Sequence, residues 1–269
     1  MPSPAAPHIE VSRHGAAAVL RITQPERANA LDHGMLRSLV SLLDGPEVAA
    51  AHVVLLAGAG ERHFSAGLDL GDVPAGELVG HLRAGEELLV AAADAIATCV
   101  RPVIGVINGA TLGGGLELAM ACDWRIARRG ARIGMPAARL GVVYGATGLA
   151  RVVGLIGAAR TRRLFLTGRP VEADEAFALG LVDELVEPDE LWTAAHRAAA
   201  DVAACSPVAV AGTRALVRRI AEPPLDAETL AEAERWRTRA FDGPELEEGL
   251  RAFRGRRPPR FPLDGAPPA

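Results

Sequence analysis

The sequence predicts an α/β fold that ends in a helical region. Short runs rich in Val, Ile and Leu, bounded by Gly or Pro, are typical of buried strands. They alternate with longer Ala- and Leu-rich segments whose apolar residues recur at helical spacing. From residue 189 onward the pattern is helical, with breaks at Ser206–Pro207 and Pro223–Pro224. The alternation predicts an α/β core, and the helical end predicts an added layer or an oligomer surface.

These signals place the elements in chain order. Gly15 separates two apolar runs and predicts a hairpin, and Pro102 closes a long helical pattern. The predicted elements are strands over 9–11 and 17–22, a helix over 31–43, a strand over 52–57, a helix within 76–99, a strand over 103–107, a helix ending near 121, strands over 124–127 and 132–135, short helices and loops over 137–178, a strand over 181–186 and helices from 189. We expect a core over residues 1–200, a helical region over 201–255 and a flexible Pro- and Arg-rich tail over 256–269.

Composition and charge exclude several classes of protein. The 269 residues are 49% hydrophobic, which is enough for one large domain. A net charge of −4 argues against a general nucleic-acid-binding protein. The chain has neither an apolar run of membrane-spanning length nor a secretory signal, so we expect a cytoplasmic protein with reduced cysteines. All 29 basic residues are arginine, which excludes lysine Schiff-base chemistry, and no cluster has the spacing of a metal site.

The most informative motif is NGATLGGGLELAMACD, residues 108–123. Gly113, Gly114 and Gly115 stand directly before a short helical pattern that carries Glu117. Glycines are poor helix formers, so three in a row indicate a loop whose N–H groups approach a ligand closely. The first N–H groups of a helix lack acceptors, and they favour a negatively charged oxygen.

A second loop of small residues lies upstream, in GAGERHFSAGLDL, residues 58–70. Ser65, Ala66 and Gly67 are small enough for close backbone approach, and they also follow a strand pattern. Two such loops could each supply one N–H to a single oxygen, which is the geometry of an oxyanion hole.

These two motifs, with PERANALD near the start, RPVIGVINGA before the glycines and LTGRPVEADEAFALGLVDELV after them, resemble the crotonase (enoyl-CoA hydratase/isomerase) superfamily. The resemblance covers about residues 19–186. It implies a fold of repeated ββα units followed by helices that build a homotrimer, often paired into a homohexamer. It also implies that the N–H groups of Ala66 and Gly114 bind the thioester oxygen of an acyl-CoA, with no cofactor beyond the coenzyme A of the substrate.

Glu117 is the predicted catalytic carboxylate, because it lies one helical turn after Gly114 among apolar residues. A typical hydratase of this family has a second glutamate where this chain has Ala137, directly after Pro136. The sequence therefore predicts an enolate-forming enzyme with a single carboxylate for proton transfer. Glu86 or Glu87 could replace the missing glutamate, although a solvated helix face is the simpler interpretation.

Tyr144, in LGVVYG, supports an alternative. Methylmalonyl-CoA decarboxylases of the superfamily resemble the chain here and pair a tyrosine at this position with a glutamate at the position of Glu117. Loss of CO₂ forms the enolate directly and needs no general base. The same motif would be found if the tyrosine only packed in a loop, with its hydroxyl bound to water or backbone.

The remaining expected substrate contacts come from the same motifs: Arg27, Ala28, Ala30, Leu68, Asp69, Leu70, Gly113 and Pro136. Arg27 could bind the phosphates of coenzyme A or be an ordinary surface arginine, and Asp69 is expected to brace its loop. A non-catalytic binder of CoA thioesters stays a further alternative. A nucleotide-dependent oxidoreductase is excluded, because the glycines do not match GxGxxG.

Overall fold

The computed structural model describes residues 8–71, 73–74, 76–221 and 224–261. Its contacts divide the chain into two compact units. The first contains the chain up to Ile133 together with Val171–Ala221, and the second contains Gly134–Pro170 and the residues after 221. The predicted boundary at residue 200 does not coincide with this division, because residues 134–170 group with the C-terminal helices.

The described strands are β1 His8–His14, β2 Ala17–Thr23, β3 Val53–Gly58, β4 His63–Ser65, β5 Val103–Ile107, β6 Ala110–Leu112, β7 Trp124–Arg128, β8 Arg132–Gly134, β9 Val171–Glu172 and β10 Glu184–Val186. The described α-helices are α1 His33–Leu43, α2 Pro46–Ala49, α3 Leu78–Thr98, α4 Gly114–Ala121, α5 Ala146–Thr167, α6 Ala173–Leu179, α7 Leu191–Ala203, α8 Pro207–Ala221, α9 Ala227–Asp242 and α10 Pro244–Arg254.

Two sheets form the framework of the first unit. The larger has the order β1-β2-β3-β5-β7-β10 and the smaller has the order β4-β6-β8-β9. The β1–β2 hairpin is antiparallel, and the remaining neighbours in the larger sheet are parallel. Gly15, with a φ of 56°, makes the hairpin turn as the sequence predicted.

The two small-residue loops occupy equivalent places in this framework. Strand β3 leads to β4 and its loop before α3, and β5 leads to β6 and then to α4. Strands β4 and β6 pair in parallel, with Ser65 beside Thr111. Because β3 and β5 are also neighbours, the chain brings both loops to the same end of the sheets.

A hydrophobic core lies between the larger sheet and α7. Buried side chains of β2, β3, β5 and β7 pack there against Leu191, Ala194, Ala195 and Ala199. Helix α1 begins where the Asp32 side chain accepts the Met35 N–H at 2.7 Å, and its buried apolar face confirms the predicted helical spacing.

The second unit contains most of the stretch 137–178 that was expected to form short helices and loops. Helix α5 is two helices joined at Gly157, whose φ of 75° and ψ of 161° are not helical. A 3₁₀ helix over Ala137–Leu140 precedes it, so this stretch holds several short helices. Beyond α10, the Arg257 guanidinium and the Arg260 N–H bind the Glu248 carboxylate, and these contacts hold residues 257–260 in place. Residues 262–269 of the predicted tail and Pro223 lie outside the described residues.

Among the described residues, no single helix is long and apolar enough to cross a membrane. Residues 188–203 and 207–221 reach that length and composition only as a pair bent by 106°.

Candidate active site

Three backbone N–H groups of the loop after β4 donate to protein oxygens, at 3.0, 3.1 and 2.9 Å. Ala66 donates to the Ala28 carbonyl, Gly67 to Ser65 Oγ and Asp69 to the Leu31 carbonyl. The Leu68 N–H makes no hydrogen bond within the described parts of the chain. Because the N–H groups of Ala66, Gly67 and Asp69 already have acceptors, Leu68 is the residue of this stretch whose N–H can donate to a ligand.

The start of α4 supplies the opposing donor. Gly113 precedes the helix with a φ of 53°, a conformation that favours glycine, and Gly114 is its first residue. The Gly114 N–H therefore has no acceptor within its own helix, and it lies at the positive end of the helix dipole.

The two loops are in contact at these donors. A Cβ built on Gly67 would lie 2.8 Å from the Gly114 nitrogen, and one built on Gly114 would lie 3.5 Å from the Leu68 nitrogen. The sequence assigned the second donor to Ala66, but the hydrogen bond to Ala28 already occupies that N–H. The geometry instead favours a pair formed by Gly114 and Leu68.

Glu117 lies in the first turn of α4 and is only 6% exposed. Its N–H donates to the Gly113 carbonyl at 3.2 Å, which places it one turn beyond the donors. Leu116 and Leu118 beside it are fully buried. A carboxylate in such surroundings is rarely buried without a functional reason.

Two asparagines that the sequence analysis did not single out hold the loops. Asn108 accepts the Gly58 N–H at 3.0 Å and donates to the carbonyls of Gly58, Gly60 and His63. Asn29 donates to the Ala59 and His63 carbonyls at 2.9 and 2.8 Å. Both side chains thus fix the β3–β4 turn. The signal in the sequence was their place inside the family motifs, because amide side chains are suited to bridging backbone groups.

Arg27 and Asp69 form an ion pair rather than two separate substrate contacts. Arg27 Nη2 lies 2.9 Å from Asp69 Oδ1, which also accepts the Gly71 N–H at 2.9 Å. Asp69 therefore braces the loop, as expected. Arg27 is the more exposed partner, at 39% against 15% for Asp69, and so keeps a face open to solvent.

The other predicted substrate contacts in the first unit lie in the PERANALD and β4 loops. The Ala28 carbonyl links the PERANALD loop to the β4 loop by accepting the Ala66 N–H, and Ala30 is buried. The Leu68 side chain packs against α3 at Gly85, while Leu70 is half-buried. On α3, Glu86 is half-buried and Glu87 is exposed.

Pro136 and Tyr144 lie in the second unit. Pro136 precedes a short 3₁₀ helix, Ala137–Leu140, so Ala137 begins that helix. The Tyr144 ring contacts Phe165 at 5.4 Å between centroids, and its hydroxyl would lie 3.0 Å from a Cβ on Gly148. These contacts give the Tyr144 ring a packing role, and its catalytic role stays a prediction. No group of three or more potential metal ligands occurs in the described ranges.

Comparison with known proteins identifies the family. The sequence model of enoyl-CoA hydratase/isomerase matches residues 12–263. The short-chain-enoyl-CoA hydratase of Clostridium acetobutylicum is 32% identical, over 91% of this chain and 94% of the relative. The crotonyl-CoA hydratase of Syntrophomonas wolfei is 30% identical, over 94% of this chain and 97% of the relative.

Solved structures agree with this result. An enoyl-CoA hydratase from Bacillus anthracis is 32% identical with a TM-score of 0.73, over 94% of this chain and 98% of that one. A methylmalonyl-CoA decarboxylase in complex with 2-nitronate-propionyl-CoA has a TM-score of 0.84 at 24% identity, over 96% of this chain and 100% of that one, which shows a shared fold alone. The predicted superfamily and its α/β crotonase fold are confirmed. The chain belongs to the enoyl-CoA hydratase/isomerase family of acyl-CoA enzymes.

Proposed function

We propose that this enzyme stabilises a thioester enolate between the N–H groups of Leu68 and Gly114 and uses Glu117 as its proton-transfer group. The observation that carries the proposal is the Leu68 N–H beside the start of α4, which has no acceptor among the residues that the structure describes. Two such donors stabilise charge that develops on the thioester oxygen. Glu117, one turn further along α4, would then transfer the proton at the α-carbon of a substrate held there.

For an enoyl-CoA, these groups support hydration through one carboxylate. Glu117 accepts a proton from water as the water oxygen bonds to the β-carbon. The π electrons move to the thioester oxygen, where the two N–H groups hold the enolate. The enolate then collapses, and Glu117 returns the proton to the α-carbon. Ala137 cannot share this work, so we expect slower turnover than in an enzyme with two carboxylates.

Decarboxylation is the second candidate, favoured by Ala137 at the position where hydratases of the family have a glutamate. The bond between the α-carbon and the carboxylate breaks, and its electron pair moves to the enolate oxygen as CO₂ leaves. Glu117 or water then protonates the α-carbon. In this reaction the Tyr144 hydroxyl would orient the departing carboxylate.

Mass spectrometry of the CoA products after incubation with crotonyl-CoA and, separately, methylmalonyl-CoA tests both candidates. Hydration adds one water to the first substrate, and we expect Glu117→Gln to slow it by about 10²–10⁴-fold. Glu87→Gln is the matched control, because Glu87 is exposed on α3. Loss of CO₂ from the second substrate, abolished by Tyr144→Phe, would select decarboxylation. Unchanged turnover in Glu117→Gln would remove Glu117 from the mechanism, and the absence of both products would favour a non-catalytic thioester binder.

We also propose that the enzyme needs no cofactor beyond the coenzyme A of its substrate, that it works in the cytoplasm and that it assembles as a homotrimer or homohexamer. Support for assembly comes from α8, none of whose side chains is buried. Val208 and Ile220 are 82% and 80% exposed there, and Leu216 and Val217 are more than half exposed. An apolar helix face of this kind is typical of a protein–protein interface.

A further inference from the structure

Two histidines lie beside the loop that carries the Leu68 donor. The rings of His33, on α1, and His81, on α3, stack with centroids 4.3 Å apart and planes 17° apart. His81 Nε2 is 2.9 Å from the Asp69 carbonyl oxygen, and His33 Nε2 is 3.2 Å from the carbonyl oxygen of His81 itself. Both rings are half-buried.

The partners of these ring nitrogens fix their protonation. A carbonyl oxygen can only accept a hydrogen bond, so Nε2 must carry the hydrogen in both rings. The neutral form of each ring is therefore the Nε2–H tautomer. Burial and the neighbouring His81 lower the pKa of His33, which favours that neutral form.

A set of hydrogen bonds holds the backbone next to Leu68. Leu31 accepts the Asp69 N–H at 2.9 Å and donates to the Gly67 carbonyl at 2.7 Å, so it holds the backbone on both sides of Leu68. His81 holds the same segment from α3 through the Asp69 carbonyl. His33, two residues after Leu31, then joins α1 to α3. The segment that bears the Leu68 N–H is thus held by Leu31, just before α1, and by His81 on α3.

We propose that His81 is a positioning residue for the thioester site, which orients the Leu68 N–H by holding the Asp69 carbonyl, and that His33 supports its ring. This inference rests on the proposed function, since it assigns His81 to the donor described there. A donor displaced by a fraction of an ångström stabilises a developing oxyanion less well. His81 itself touches no reacting atom.

Two substitutions separate the hydrogen bond from the packing. His81→Phe keeps an aromatic ring for the stack but removes the Nε2 donor. His81→Gln loses the ring, but its amide nitrogen can reach the position of Nε2. We expect His81→Phe to lower kcat about 10- to 100-fold with little change in KM, and His81→Gln to recover most of the loss. The control is His196→Phe, because His196 forms a separate stacked pair with His14, at 3.8 Å between ring centroids, on α7 and β1.

Infrared difference spectra of bound butyryl-CoA, labelled with ¹³C at the thioester carbonyl, give a readout that does not depend on turnover. In the wild type and His196→Phe, the carbonyl band of bound butyryl-CoA should be red-shifted relative to free butyryl-CoA. In His81→Phe this shift should be about half as large. A wild type without any red shift would reject the thioester site and this inference with it. A wild-type shift that His81→Phe retains in full, with unchanged kcat, would overturn the role of His81 alone. Equal losses of kcat in His81→Phe and His81→Gln would also contradict the positioning role, because a purely structural role of the His81 ring predicts equal losses.

Discussion

At the scale of single residues, Gly115 lies where α4 meets the β4 loop. A Cβ at this position would lie 2.5 Å from the Ser65 carbonyl oxygen and 2.8 Å from the Ser65 Cβ. The contact at Gly114 is different, because there the nearest atom is the end of the Leu89 side chain, which can move. Among the three consecutive glycines, Gly115 is therefore the one that backbone packing requires.

We predict that Gly115→Ala separates α4 from the β4 loop and lowers the free energy of unfolding by about 1–3 kcal/mol, with loss of activity. Urea denaturation and turnover of the identified substrate measure the two effects. Gly80→Ala is the control, because a Cβ on this exposed position of α3 meets nothing within 4 Å. It should stabilise the protein by about 0.5–1 kcal/mol, since alanine is the better helix former. Equal stabilities of the two variants would contradict the packing argument.

Residue types and spacing located Glu117 and the glycines, but they could not choose between the donors of the β4 loop. Ala66 and Leu68 both stand in the small-residue motif. Their N–H groups differ in environment, because the Ala28 carbonyl, from a distant part of the chain, accepts the Ala66 N–H and not the Leu68 N–H. The packing role of the Tyr144 ring could likewise be seen only once Phe165 was placed beside it.

At the scale of elements, α8 presents apolar side chains to solvent while Arg214 anchors it to the first unit. Arg214 pairs with Asp123 at 2.6 Å and donates to the Ile96 carbonyl at the end of α3 at 2.9 Å. The helix is therefore held in place with its apolar face outward. If this face is the subunit interface, it should control the oligomeric state without controlling the fold.

We predict that Ile220→Glu shifts the protein from a trimer or hexamer to a monomer, because an unpaired charge opposes burial in an apolar interface. Light scattering coupled to size-exclusion chromatography measures the mass. Arg218→Glu, which changes the charge of the same helix turn without replacing an apolar residue, should be less disruptive. An oligomer that tolerates Ile220→Glu would place the interface elsewhere.

Elements with strong periodicity were predicted well, and very short strands were not. The β1–β2 hairpin, α1 and β5 lie where the pattern placed them. Strand β10 covers only the last half of its predicted range, and β9, at two residues, is too short to produce a pattern. Such short strands form because a neighbouring strand completes their hydrogen bonds. That neighbour is set by the tertiary structure and leaves no pattern in the sequence.

At the scale of the whole molecule, burial makes several histidines resist protonation. Burial lowers the pKa of His33, His63 and His196 below the ordinary value of 6.5, and neighbouring histidine or arginine side chains lower each further. The unfolded chain consequently binds more protons than the folded one below about pH 6.5. The contribution of these neutral histidines to stability is complete above about pH 6.5. It decreases as the pH falls from there through their lowered pKa values.

We predict that the free energy of unfolding is smaller at about pH 5.5 than at about pH 7.5. Urea titrations at both values provide the measurement. The carboxylate of Glu248 cannot produce this change, because Arg257 lowers its pKa to about 2, and its contribution is lost only below its ordinary value of 4.5. Equal stability at the two pH values would contradict the histidine argument.

The sequence by itself determined the family, the α/β core, the glycines at the start of α4 and the carboxylate on that helix. These features are local, because glycine conformations, helix starts and strand patterns depend on residues close together in the chain. Only the tertiary structure decided that the Ala66 N–H is occupied by the Ala28 carbonyl, which asparagines hold the loops and how two histidines join α1 to α3. Each of these depends on oxygens or rings brought within a few ångströms from distant segments, and the spacing of residues along a chain does not specify such contacts.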